Sequence, residues 1–165
     1  MLKLSRLLGV LLTGALSQGT AAAVLSCTAN PSSSVERVLR GVVGGEPVPA
    51  GFSVTYTELQ PPHASLSLSI HADGTVAQQA VGEPVGQPRA VTPWEWRKLA
   101  ALIVVRKLWQ QQTPERAPGN DEGRATLTLR CGDQSSEVWE WQGDLAKNRR
   151  LIQVREAMKK AAWTP

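Results

Sequence analysis

The sequence is poor in the residues that most often build catalytic and metal sites. It holds only two cysteines and two histidines among 165 residues. No C-x-x-C or H-x-x-x-H spacing is present, so no zinc site is expected. No G-x-S-x-G turn is present either, and His63 and His71 fall at the two ends of one strand region. We therefore expect no metal ion, no cofactor and no enzymatic activity.

Neither a general-acid pair nor a phosphate-binding loop is recognisable. Glu137 and Glu140 fall on opposite faces of a predicted strand, while Asp121 and Glu122 fall in a polar loop. No pair lies beside an apolar run that would raise a carboxyl pKa for general acid work. We expect these carboxylates to be solvated, because charged groups are mostly exposed. Residues 41–45, GVVGG, lack the Lys-Ser/Thr that follows in a P-loop.

Long apolar runs are also missing, except for one at the N-terminus. Lys3 and Arg6 precede the apolar residues 7–16, a run shorter than the about 20 residues that cross a bilayer as a helix. This pattern is typical of a secretory signal peptide, which we place at residues 1–23 with cleavage after Ala23. No later run is long enough to form a transmembrane segment. We therefore expect an exported bacterial protein, periplasmic or secreted.

The two cysteines leave two fates open for the mature N-terminus. Cys27 can pair with Cys131, because an even number of cysteines in an exported chain favours a disulfide. In the chain-entropy model a bridge over about 100 residues stabilises a fold by about 4 to 5 kcal/mol. Alternatively, residues 24–27, VLSC, satisfy a permissive lipobox, in which Cys27 is lipidated. We favour the disulfide, and a lipid-anchored envelope protein is the alternative.

The charge balance does not favour a nucleic-acid partner. The chain has 18 basic and 14 acidic residues. Removal of Lys3 and Arg6 with the signal peptide leaves 16 against 14, which is close to neutral. Proteins that bind nucleic acid usually carry a marked basic excess, so we expect no nucleic-acid binding.

Composition divides the mature chain into two parts. Residues 24–51 are rich in Ser, Pro and Gly around a short apolar patch, which predicts a flexible N-terminal lead-in with one helical turn at most. Residues 52–165 show regular periodicity and are long enough for a single domain with its own core.

The periodicity of the domain predicts strands, a helix, a hairpin and a second helix. Strands are predicted at 52–59, 64–71, 76–81, 125–131 and 136–142. Thr92 and Glu95 form a capping box for a helix that ends near Arg106, and Asp144 caps the closing helix. We therefore predict an α+β fold, with an antiparallel sheet of about five strands and two helices packed on one face.

Three short pieces stand out in this order: DGT at 73–75, TPWEW at 92–96 and TLTL at 126–129. Together they resemble a family of small exported bacterial domains of unknown function, over residues 52–163. The resemblance implies an α+β sandwich of one sheet and two helices. It implies no catalytic residues, because the family has no assigned activity.

Tryptophan is plentiful, with six residues against one Tyr and one Phe. Trp94 and Trp96 are two apart on a helix, which separates them by about 200° and leaves one of them outside the core. Trp139 and Trp141 are two apart on a strand and share a face. On the core face they would be buried, as Trp most often is. On the other face they would form an exposed aromatic surface suited to a ligand.

A compact exported domain without catalytic groups acts mainly by binding other molecules at its surface. We therefore expect a non-catalytic binding or inhibitor-like module with a protein, peptide or glycan partner. Its candidate binding residues are Trp94, Trp139 and Trp141. A membrane-tethered lipoprotein with the same domain, and an enzyme with an unrecognised site, are the alternatives.

Overall fold

The computed structural model describes residues 31–60, 64–81, 87–112 and 116–163. These residues form α1 (Pro31–Gly44), β1 (Phe52–Gln60), β2 (Ala64–His71), β3 (Val76–Val81), α2 (Pro93–Arg106), β4 (Arg124–Cys131), β5 (Gln134–Trp141), a 3-10 turn (Leu145–Lys147) and α3 (Arg149–Ala162). The five strands make one antiparallel sheet in the order β3-β2-β1-β4-β5. The predicted α+β fold is confirmed, and a third helix is added to it.

Alternation along the strands divides the sheet into an inner and an outer face. The inner face packs against the helices, and most of its central side chains are almost fully buried. It includes Phe52, Val54, Tyr56, Leu68, Ile70, Ala125, Leu127, Leu129, Cys131 and Val138. The outer face carries the intervening residues, which are half-buried or exposed. This division decides which side chains can meet a ligand.

The DGT turn closes the β2–β3 hairpin as its residue types predict. Asp73 Oδ1 accepts hydrogen bonds from Thr75 N at 2.9 Å and from Thr75 Oγ1 at 2.7 Å, and these bonds lower the pKa of Asp73. Gly74 has a φ of 85°, and a Cβ there would collide with the carbonyl oxygen of Val91. A glycine is therefore required at this position.

The helix α2 begins at the predicted capping box. Glu95 N donates to Thr92 Oγ1 at 3.3 Å, and Thr92 N donates to Glu95 Oε2 at 2.9 Å. The side chain of Arg89 pairs with Glu95 as well, and its hydrogen bonds are the largest cause that lowers the pKa of Glu95 to about 2. These contacts hold the start of the helix, and Trp96 follows one residue later.

The prediction of a flexible lead-in over residues 24–51 is wrong for α1. Residues Pro31–Gly44 form a helix of 14 residues, and its apolar stripe enters the same core as the sheet. The stripe consists of Val35, Val38, Leu39 and Val42, which are at most 4% exposed. Burial of each such side chain contributes about 1.5 to 3 kcal/mol, which outweighs the about 1 kcal/mol cost of a helical glycine. The described domain therefore begins at α1.

The closing helix also starts differently from the prediction. Asp144 makes no capping bond and precedes the 3-10 turn, while Asn148 caps α3 by accepting a hydrogen bond from Leu151 N at 3.2 Å. The predicted stripe of α3 is confirmed, since its members are buried. They are Leu151, Val154, Met158 and Ala161. Among the described residues no helix is long and apolar enough to cross a bilayer.

Candidate functional site

The outer face of the sheet is lined by small hydroxyl side chains across its three central strands. The half-buried members are Ser65, Ser67 and Ser69 of β2, Thr55 and Thr57 of β1, and Thr126 and Thr128 of β4. The register places Ser67, Thr57 and Thr126 in one row that runs across the strands and continues to Trp139 on β5. The hydroxyl row therefore leads directly to an aromatic ring.

Trp139 and Trp141 lie on this outer face and are half-buried. Their ring centroids are 5.2 Å apart and the ring planes meet at 71°, an edge-to-face contact. Burial of the pair beneath a helix, the more common arrangement for Trp, is wrong here. The structure instead has the second arrangement that the sequence left open. Both rings lie on the face of the sheet opposite the core leucines of β4.

Two arginines flank the tryptophan pair. The guanidinium carbon of Arg124 lies 5.3 Å from the ring centroid of Trp139 and 5.5 Å from that of Trp141. The guanidinium carbon of Arg116 lies 5.6 Å from the Trp141 ring. Such contacts are worth about 0.5 to 1 kcal/mol at exposed sites. They hold the rings and the cations together as one surface.

The two arginines differ in their electrostatic partners. Arg116 forms a bidentate pair with Glu122 at 2.7 and 2.8 Å and contacts Asp144 at 2.8 Å, so the pKa of Arg116 is raised. Arg124 is exposed. Within the part of the chain that the structure describes, no carboxylate forms an ion pair with Arg124. Among the described residues, Arg124 is therefore the arginine at the tryptophan pair without an ion-pair partner.

Glu122 organises the loop that supports Trp141. Besides Arg116 it accepts hydrogen bonds from Gly119 N at 2.7 Å and Gly143 N at 2.9 Å. The hydrogen bonds from Arg116 are the first cause that lowers the pKa of Glu122 to about 2. Trp141 Nε1 donates to the carbonyl oxygen of Arg116 at 3.3 Å. The prediction that Glu122 is a solvated loop carboxylate is therefore wrong, since its side chain is only 12% exposed.

The free edge of β5 is occupied beside the tryptophan pair. Trp139 N donates to Gln111 Oε1 at 2.9 Å, and Gln111 Nε2 donates to Trp139 O at 3.1 Å. Ser136 Oγ donates to the carbonyl oxygen of Trp109 at 2.9 Å. The Gln111 amide thus satisfies the same backbone groups that an added strand would use.

Glu140 is the second carboxylate that departs from the sequence prediction. It is 7% exposed, accepts hydrogen bonds from Asn148 Nδ2 and Trp141 N, both at 3.0 Å, and borders a cleft of about 580 Å³. Arg116 and Asp144 also line this cleft. Glu140 therefore ties the start of α3 to the sheet, and the prediction of a solvated side chain is wrong. Within the described residues, no group of three His, Cys, Asp or Glu side chains could hold a metal ion.

Trp94 is not brought together with the other two candidate tryptophans. It is 59% exposed on α2, with Lys98 Nζ 4.8 Å from its ring centroid. Trp96 is 2% exposed and its Nε1 donates to His71 O at 3.0 Å, at the DGT end of the sheet. The sequence analysis expected one of these two residues outside the core, and Trp94 is that residue. Only Trp139 and Trp141 share a surface.

Cys131 is 1% exposed on the inner face of β4, opposite Phe52 in the register. It is not a free thiol. Cys27 and the predicted signal peptide, residues 1–23, lie outside the described residues. The pairing of Cys27 with Cys131 and the lipidation of Cys27 therefore both stay predictions.

No protein-family model, no curated protein and no solved structure matches this chain. The resemblance to small exported bacterial domains stays a prediction.

Proposed function

We propose that this protein is an exported, non-catalytic binding module of the bacterial cell envelope. Its recognition surface, called here the Trp–Arg surface, consists of Trp139, Trp141 and Arg124. The observation that carries the proposal is the position of two touching tryptophan rings on the outer face of the sheet. Aromatic and arginine side chains are the residues on which binding energy is most often concentrated.

The order of the Trp–Arg surface supports a binding role. Trp141 is held through its indole N–H by the carbonyl of Arg116, and the backbone of Trp139 is held by Gln111. The Trp139 ring also packs edge to face against Trp141, and side chains held in this way lose little conformational entropy when a ligand arrives, which favours affinity. The contacts therefore present the rings in a fixed arrangement before any partner binds.

Surface plasmon resonance with solubilised envelope fractions over the immobilised mature protein tests this proposal. We expect saturable binding for the wild type and for Trp94→Phe. We expect binding to be lost in the double variant Trp139→Phe/Trp141→Phe, which keeps apolar rings in place and so protects the fold. Binding that persists unchanged in the double variant would contradict the proposal.

The mass of the mature protein distinguishes the proposed soluble form from the lipoprotein. A mass equal to residues 24–165 less two hydrogens supports the disulfide between Cys27 and Cys131. Added diacylglycerol and acyl groups on Cys27 would instead establish membrane tethering. Either form presents the same domain to a partner.

A further inference from the structure

The shape of the Trp–Arg surface restricts the kind of ligand that fits it. The rings of Trp139 and Trp141 meet at 71° in an edge-to-face contact, and both residues are half-buried, so part of this aromatic pair is accessible to a ligand. Both residues project from the pleated face of a sheet, and their neighbours in the register are Thr126 and Arg124. A ligand with its own flat apolar face packs on such a ring better than a bulky side chain that needs a pocket.

The row of hydroxyls beside Trp139 adds polar groups at regular spacing. Thr126, Thr57 and Ser67 lie on successive strands, which are about 4.8 Å apart in a sheet. Each hydroxyl can donate and accept a hydrogen bond. A pyranose ring has a flat C–H face and a rim of hydroxyl groups, which matches an aromatic ring with a hydroxyl row at its side.

Arg124 adds the requirement that the ligand carry a negative charge. Its guanidinium lies beside both rings, and no described carboxylate forms an ion pair with it, whereas Arg116 is matched by Glu122 and Asp144. The planar fork of a guanidinium binds a carboxylate with two parallel hydrogen bonds. The ligand that complements this surface is therefore anionic.

The occupied edge of β5 disfavours an acidic peptide. An extended peptide gains much of its affinity from backbone hydrogen bonds to a strand edge. At Trp139 both backbone groups are already bound by Gln111. A peptide would therefore be left with side-chain contacts alone at this position.

We infer that the Trp–Arg surface binds a polysaccharide that carries carboxylate groups, with a sugar ring stacked on the tryptophans and a carboxylate paired with Arg124. This inference rests on the proposed function and names the ligand class of the same surface.

Isothermal titration calorimetry with a panel of oligosaccharides tests the inference. The acidic probes are tetramers of galacturonate, mannuronate and hyaluronan, and maltotetraose is the neutral control of equal length. Poly-L-glutamate serves as the acidic peptide. We expect at least one acidic tetramer to bind the mature protein, with affinity that falls as salt concentration rises, and neither maltotetraose nor poly-L-glutamate to bind.

Two variants locate the binding. Trp141→Phe is expected to weaken the acidic tetramer about threefold, and Arg124→Gln about tenfold with loss of the salt dependence. Arg130→Gln is the matched control, because Arg130 is exposed on the same face of β4 and also forms no ion pair among the described residues. We expect it to change the affinity less than twofold.

Three results would overturn the inference. They are failure of every acidic tetramer to bind, binding of maltotetraose that Arg124→Gln leaves unchanged, and binding of poly-L-glutamate in place of the saccharides. Each of these leaves the proposed function standing if the envelope fraction still binds through the tryptophans. Loss of that tryptophan-dependent binding would remove the proposed function as well.

Discussion

The two closely spaced tryptophan pairs show how one sequence spacing has two structural outcomes. On α2, Trp94 is 59% exposed and Trp96 is 2% exposed. On β5, Trp139 and Trp141 lie on the same face with their rings in contact. A helix turns by about 100° per residue and a strand by about 180°, so residues two apart diverge on a helix and coincide on a strand. One pair is therefore divided between core and solvent, and the other forms a surface.

The two pairs also differ in what they support. Trp96 joins the end of β2 to α2 through the hydrogen bond from its Nε1 to His71 O. The centroids of the Trp96 and Phe52 rings are 6.0 Å apart. Trp141 is itself supported by the loop that carries Arg116 and Glu122. We expect substitution of Trp96 to change stability most, and substitutions in the second pair to change binding.

The largest expected effect is at Trp96. Trp96→Ala should lower the free energy of unfolding by about 3 to 5 kcal/mol, because it leaves a cavity and removes the hydrogen bond from the indole to His71 O. Urea denaturation measures the change. Trp94→Ala is the matched control, with an expected change within about 0.5 kcal/mol. Equal losses in the two variants would contradict the division of this pair between core and solvent.

A smaller loss of stability is expected at Trp141. Trp141→Ala removes the edge-to-face contact with Trp139 and the contacts with two guanidinium groups, for about 1 to 2 kcal/mol in urea denaturation. A double-mutant cycle with Trp139→Ala isolates the ring contact. A coupling energy near zero would show that the two rings do not interact in solution.

Iodide quenching separates the four tryptophans by exposure. We expect Trp94→Phe to remove the most strongly quenched part of the emission, because iodide reaches exposed rings. Trp96→Phe should leave the quenched part unchanged. Trp139→Phe/Trp141→Phe should remove a part with intermediate quenching, since both rings are half-buried. Quenching confined to Trp96 would contradict the exposure of Trp94 and the burial of Trp96.

The smallest expected effect is a pH dependence of the structure around each tryptophan pair. The folded-state pKa of Glu95 and that of Glu122 are each lowered to about 2 from 4.5, so their contributions to stability are present above pH 4.5 and are lost as the pH falls toward 2. Near-UV circular dichroism should therefore change between pH 4.5 and 2. Glu122→Gln should remove the part of this change that comes from Trp141, while Glu95→Gln should leave that part in place. An unchanged acid transition in Glu122→Gln would contradict the role of this loop.

Local patterns predicted most of the regular structure. Alternation located all five described strands, and Thr92 with Glu95 marked the start of α2 because a capping box needs only neighbouring residues. The helix α1 was not predicted, because its apolar stripe lies in a Gly-rich stretch that locally disfavours a helix. The stripe runs from Val35 through Val38 and Leu39 to Val42. Tertiary burial of that stripe outweighed the local preference against a helix.

The candidate site was only partly predictable. The alternation of β5 was sufficient to place Trp139 and Trp141 on one face. Arg124 faces them from the neighbouring strand, and Arg116 approaches from a loop that follows a different element. Neither contact has a local sequence signal, because residues so far apart along the chain are brought together only when the sheet and its loops assemble.

The periods of α2 and β5 therefore follow from the sequence alone. They are sufficient to show that Trp94 and Trp96 point in different directions and that Trp139 and Trp141 lie on one face. Which face of β5 reaches solvent was decided by the tertiary structure. The helices cover the face that carries Leu127 and Val138, because that face buries more apolar area when it packs against them. The tryptophans, two arginines and the hydroxyl row were left together on the other side.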